Sequence, residues 1–282
     1  MAKLFGFVQF DFAGALPLAD GRYLAGAGAE EGAEDAPGDQ SVLVLKRIGA
    51  PPEGGRRRRR GRNADPGEAP QPLPLTRVTT IRASTPFESQ AEAARWLDEA
   101  CEAEDTIEVL ASEAIATLNG ALHAQAVASA DPYGRQLSPE QAERVLLGYA
   151  SGEEAAGGRY TDARQVDLSP HTSRRRKREE ELRPQERVAA ILRGREQLDA
   201  CETLLLRARA DLDAGRTREA ALQLRIGLEA LLDELDGALD DPGHDKDMVT
   251  LRQRQAQTSN ASIEETLGIC ERVLRRRRVL RG

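Results

Sequence analysis

Three arginine runs dominate the residues able to do chemistry: Arg56 to Arg60, Arg174 to Arg178 with Lys177 among them, and Arg275 to Arg278. A guanidinium grips phosphate or carboxylate with two parallel hydrogen bonds, so such runs supply salt-sensitive, sequence-blind affinity. Arg56, Arg57, Arg58, Arg59, Arg60, Arg174, Arg175, Arg176, Lys177 and Arg178 are therefore the candidate contacts to nucleic acid or to a protein partner. No Phe, Tyr or Trp lies between Gly49 and Pro74, so bases meeting the first run would find no aromatic platform. The third run closes the last predicted helix, where cations complement the dipole and the free carbonyls.

Other chemistries are poorly supplied. Asp240, Asp241, His244, Asp245 and Asp247 gather one imidazole and four carboxylates, but without the loop spacing of a calcium site. Asp, Pro and Gly are also the ordinary content of a loop after a helix. The stretch Gly26 to Gly32 has the wrong glycine spacing for a phosphate cradle, and Glu30 and Glu31 stand where an anion would sit. None of the three His accompanies a suitably placed Ser or Cys, so nucleophilic catalysis has no visible machinery. No metal or cofactor is expected, and catalysis is disfavoured unless distant residues converge.

Composition narrows the class further. The 282 residues are 31% charged, 40% hydrophobic and only 4% aromatic, with a net charge of -7. That balance excludes a collagen-like fibre, a disulfide-rich mini-protein and a wholly basic nucleic-acid binder. No apolar run approaches the ~20 residues of a membrane helix, so no membrane partner is expected. Cys101, Cys201 and Cys270 are isolated and odd in number, which suits core thiols in a reducing cytoplasm. Arg, Ala and Gly together point to a GC-rich, bacterial genome. Met1 to Ala15 imitates a secretory leader, but Gln9 and Asp11 interrupt it and the stretch reads as a strand.

Charge divides the chain into three regions. Residues 1–87 carry 12 basic and 10 acidic side chains, residues 88–172 carry 5 and 16, and residues 173–282 carry 23 and 21. The acidity therefore sits in the middle region, at a net of -11. The first region reads as β: Leu4 to Ala13 sets Val8, Phe10 and Phe12 on one face and Gln9 and Asp11 on the other. Asp20-Gly21 between apolar flanks signals a hairpin, and Ser41 to Ile48 and Leu75 to Arg82 supply two more strands. The loops 26–40 and 49–74 are too polar and Gly/Pro-rich to offset the entropy of ordering, so they are expected to be disordered.

The middle region reads as helical. Thr85-Pro86-Phe87-Glu88 has the form of a capping box, opening a helix to about Glu102. Asp105 caps a longer helix carrying Ile107, Leu110, Ala114, Leu118 and Leu122. Ser138-Pro139-Glu140-Gln141 repeats the capping logic before Ala142, Val145, Leu146 and Tyr149, with Gly152 as the stop. Leu137 to Gly152 resembles the first helix and turn of response-regulator-type DNA-binding domains. The acidic, Gly-broken Glu153 to Gly158 then stands where a basic recognition helix belongs.

Beyond a basic flexible linker at 166–183 the chain becomes strongly helical. Val188, Ile191, Leu198, Cys201, Leu205, Ala208 and Leu212 form one stripe. Ala221, Leu224, Leu228, Leu231 and Leu235 form a second, and Ile263, Leu267, Cys270 and Leu274 a third. Asp213 to Arg216 breaks the first from the second. Leu204 to Leu235, with Ala208, Gly215, Ala220 and Leu224, resembles a single tetratricopeptide-type helical hairpin, which implies a bias toward protein interaction. Arg164 and His171 have the sequence spacing of the Arg and His paired in all-helical RNase domains, but Pro170 and the linker composition speak against a helical site.

The expected architecture is α+β and predominantly helical: a small N-terminal antiparallel β-sheet with packed helices over 1–165, the linker 166–183, and an antiparallel three-helix bundle over 184–282. The expected function is a non-catalytic protein-protein interaction or scaffold role, through a groove of the bundle or the acidic surface of the middle region. The alternative is sequence-non-specific RNA or DNA association through the Arg-rich flexible segments.

Overall fold

The computed structural model describes residues 3–26, 40–49, 74–168, 184–235, 241–256 and 263–281. The chain divides into two units, Met1–Pro170 and His171–Gly282. It is α+β and predominantly helical, as its residue patterns predict.

In the first unit, the Phe-rich stretch becomes strand β1 (Leu4–Ala13). The remaining strands are β2 (Gly21–Ala25), β3 (Ser41–Ile48), β4 (Leu75–Phe87), β5 (Arg144–Ser151) and β6 (Asp162–Val166). All pair antiparallel, in the order β2-β3-β4-β1-β5-β6, so that among the described residues β2 and β6 are the edges. Helices α1 (Gln90–Glu102) and α2 (Glu104–Ala128) cover one face. There Val8, Phe10, Leu43, Leu45, Val78 and Leu147 meet Leu97, Leu110, Leu118 and Leu122. Each such side chain contributes about 1.5–3 kcal/mol when fully removed from water. On the opposite face Phe7, Val44, Ile81 and Ala150 pack with Ala155 of the short helix α3 (Gly152–Gly157).

Three local expectations give way to tertiary pairing. Arg144 to Ser151 is a strand, although Ser138 and Gln141 do form the expected capping box. That box closes only a 3-10 turn (Pro139–Gln141), and the chain then enters the slot beside β1. Both faces of β5 are buried there, so an unbroken apolar run serves a strand as well as a helix. Gly148 belongs to this geometry: a Cβ on it would lie 2.5 Å from the Asp162 carbonyl oxygen on β6. The stretch Glu153 to Gly158 is not the broken tail of that helix. Ser151 caps α3, with Glu154 reaching back to the Ser151 amide.

The Thr85 capping box does not form either. β4 continues to Phe87, which pairs with Leu4, and Ser89 caps α1 by accepting from the Glu92 amide at 3.2 Å. Pro86 is tolerated because the β3 partner ends opposite Arg82, so its missing N–H breaks no second ladder. Nor does Asp20-Gly21 turn a hairpin between its flanks. β2 begins at Gly21 and pairs with β3, while the Asp20 carboxylate accepts from the Arg47 amide and Nε.

The second unit contains residues 184–192 as helix (α4), then α5 (Ala200–Asp213), α6 (Thr217–Leu235), α7 (Pro242–Ala256) and α8 (Ile263–Arg281). The stripe drawn from Val188 to Leu212 is interrupted by non-helical residues 193–199, so Val188 and Leu198 are exposed while Cys201, Leu205 and Ala208 are buried. α7 was not among the three predicted stripes; it adds Met248 and Leu251 to the core formed by Leu205, Leu228, Leu231 and Leu267. Its one-sided apolar content is too sparse to announce it.

Candidate functional site

β1 carries Asp11 between Phe10 and Phe12, and the sheet register sets Arg77 of β4 and Arg144 of β5 on either side of it. Asp11 is only 3% exposed. Arg77 donates from Nε to Oδ1 at 2.8 Å and from Nη2 to Oδ2 at 3.0 Å. Arg144 donates to Oδ2 from Nε at 3.0 Å and from Nη2 at 2.6 Å. Burial pushes the Asp11 carboxyl up, but hydrogen bonds from Arg77 and Arg144, joined by their charges, outweigh it and hold it below the usual value. An anion so engaged is a poor general base. Its role is to fix two cations and lock three strands together.

Next along the same face, Gln9 is buried and its Oε1 accepts from the Tyr160 hydroxyl at 2.6 Å and from the Thr79 hydroxyl at 3.3 Å. Tyr160 stacks on Phe7 with ring centroids 5.1 Å apart. The pattern of β1 marks Gln9 and Asp11 only as the polar side of a strand. Their burial and their partners, up to 151 residues away, come from strand order alone.

Arg144 also lines a surface cleft of about 490 Å³. Three segments build it: the 3-10 turn with Pro139 and Glu140, the chain from Ala142 into the start of β5 at Arg144 and Val145, and the chain from Gln165 through Asp167 to Leu168 at the end of β6. Asn119 of α2 anchors the approach to the turn, its Nδ2 donating to the Leu137 carbonyl and its Oδ1 accepting from the Leu137 amide, both at 2.8 Å. The Glu143 amide extends the ladder by donating to the Asp11 carbonyl at 2.8 Å. Glu140 and Glu143 thus line a space whose one cation among the described residues, Arg144, is already engaged by Asp11. The cleft is of ligand size and suits a positively charged side chain.

Arg56, Arg57, Arg58, Arg59, Arg60, Arg174, Arg175, Arg176, Lys177 and Arg178 lie outside the described residues, as do 27–39 and 50–73 of the predicted loops and 169–183 of the predicted linker. Within the third run, Arg277 is buried and paired with Asp199, and Arg276 donates to Asp247 at 2.7 Å. These are helix-packing ion pairs. Arg164 sits on β6 and pairs with Asp98 of α1, whereas His171 is outside the described residues.

The cluster around His244 is likewise structural. Asp241 accepts from the His244 amide at 3.0 Å, and Asp247 binds Arg276; Asp240 is outside the described residues. The His244 ring is buried, with Nε2 3.3 Å from the Leu235 carbonyl oxygen. Among the described residues no group of three or more His, Cys, Asp or Glu side chains is arranged to hold a metal ion. Burial pushes the Cys101 and Cys201 thiols up and the Cys270 thiol up to about 12, so all three are protonated near neutrality and weakly nucleophilic.

No helix among the described residues is long and apolar enough to cross a membrane. Comparison with known protein families, with curated proteins and with solved structures finds no match for this chain.

Proposed function

We propose that this is a non-catalytic interaction protein whose first unit binds a cation-bearing segment of another protein in the cleft beside β6. The observation that carries the reading is the meeting of Glu140 and Glu143 with the end of an edge strand at a cleft of about 490 Å³. The engaged Asp11 and the protonated thiols weigh against acid-base or nucleophilic chemistry. Three unpaired cysteines suit a reducing, cytoplasmic setting.

Fluorescence anisotropy of the full chain with a labelled peptide of alternating Arg and Thr tests the reading. Tighter binding than to the matching Glu-Thr peptide, weakening with salt, is expected. The double variant Glu140→Gln with Glu143→Gln is expected to bind about twofold to thirtyfold more weakly, at ~0.2–1 kcal/mol for each exposed carboxylate. Equal binding of both peptides overturns the reading. Clear preference for single-stranded RNA or DNA over the Arg-Thr peptide replaces it with nucleic-acid association.

A further inference from the structure

The cleft is not lined by charge alone. Val145 and Val166, opposite each other in the β5–β6 register, both line it, together with Ala142 and Leu168. Val145 is part of the buried core of the first unit, and Ala142, Val166 and Leu168 are half-buried side chains packed against that core. The core therefore comes to the surface here, and its own elements cover these three side chains only in part.

The two kinds of lining arrive on different segments. Glu140 and Glu143 are exposed and precede β5, whereas Val166 ends β6 and Leu168 follows it. Asp167, between them in sequence, is already engaged. None of the described residues lining the cleft is aromatic, so a cation there is held by charge and hydrogen bonds rather than by a ring face. That selects a head with N–H donors, a guanidinium or an ammonium. A basic side chain with only polar neighbours would leave the aliphatic lining wet.

We infer that the partner segment carries an Arg or Lys beside an aliphatic residue, the cation held at Glu140 and Glu143 and the aliphatic side chain covering Val166 and Leu168. This rests on the cleft reading above and adds the second half of the recognition. The carboxylates select the sign of the ligand's charge. Apolar surface removed from water adds affinity that salt does not screen.

The test uses the full chain and three peptides: alternating Arg and Thr, alternating Arg and Val, and alternating Glu and Val. Val and Thr differ by a methyl in place of a hydroxyl, so the peptides keep one outline. The Arg-Val peptide is expected to bind at least about fivefold more tightly than Arg-Thr, and Glu-Val the most weakly. Val166→Thr keeps a good strand former in β6, and Leu168→Gln lies outside the strand. Each is expected to cut the Val-for-Thr gain to about twofold or less while leaving Arg-Thr affinity within about twofold. Equal affinities for Arg-Val and Arg-Thr, or a gain that survives both substitutions, overturn the inference and leave the charge reading in place. Glu-Val binding as tightly as Arg-Val, or no binding of either Arg peptide, overturns both.

Discussion

The Arg144 guanidinium donates twice to one oxygen of Asp11, from Nε at 3.0 Å and from Nη2 at 2.6 Å, across 133 residues of sequence. The pair couples the buried centre of the sheet to the rim of the cleft, because the Arg144 side chain is 40% exposed while Asp11 is covered. Arg77 completes the arrangement from the other side. Orientation of Arg144, the one cation among the described residues of the cleft, is thus set by a buried carboxylate.

Removing the anion leaves two guanidiniums facing each other over a buried amide. Asp11→Asn is expected to destabilise the first unit by about 2–4 kcal/mol, less than a fully buried break because both Arg side chains retain some water. Urea unfolding followed by Trp96 fluorescence measures it. A change below about 0.5 kcal/mol would show that the three charges are independent of the fold.

Acid should reveal the same group. The folded Asp11 carboxyl titrates below its ordinary value of 3.8. Between the folded and unfolded values the unfolded chain binds the additional proton, so unfolding free energy rises with pH there. The contribution is complete above the unfolded value and is lost as pH falls through the folded one. Urea midpoints measured from about pH 2.5 to 6 are expected to drop more steeply for the natural chain than for Asp11→Asn; parallel curves would remove Asp11 from the account.

Gly148 gives a test of opposite sign for the two conformations considered for its segment. In a helix, Gly148→Ala would stabilise by about 0.8–1 kcal/mol. In β5 the new Cβ would lie 2.5 Å from the Asp162 carbonyl oxygen and 2.8 Å from Ala163 Cα. We therefore expect destabilisation of about 1–3 kcal/mol, with faster hydrogen exchange across β6. Thermal unfolding of the two proteins decides the sign.

Some elements were legible because local pattern and final environment agree. Val8 to Phe12 alternates with period two and lies in β1; Leu110, Ala114, Leu118 and Leu122 recur at helical spacing and are buried in α2; Leu224, Leu228, Leu231 and Leu235 form the inner side of α6. Each of these stretches has one obvious apolar face, and any fold must bury it. The segment Val145 to Ala150 was illegible for the converse reason. It is apolar on both sides, so periodicity cannot separate a buried strand from a buried helix, and a real capping box stands just ahead of it.

The candidate site divides along the same line. The amino-acid order alone determined the α+β class, the acidity of the middle region, the absence of a long apolar span among the residues searched, and the polar side of β1. Tertiary structure alone decided that Asp11 lies between Arg77 and Arg144, that Gln9 meets Tyr160, and that Glu140 and Glu143 share a cleft with the end of β6. Periodicity reports what a residue does within its own element. Pairing across a sheet depends on which distant strands share its backbone hydrogen bonds, and that is set only when the whole core closes.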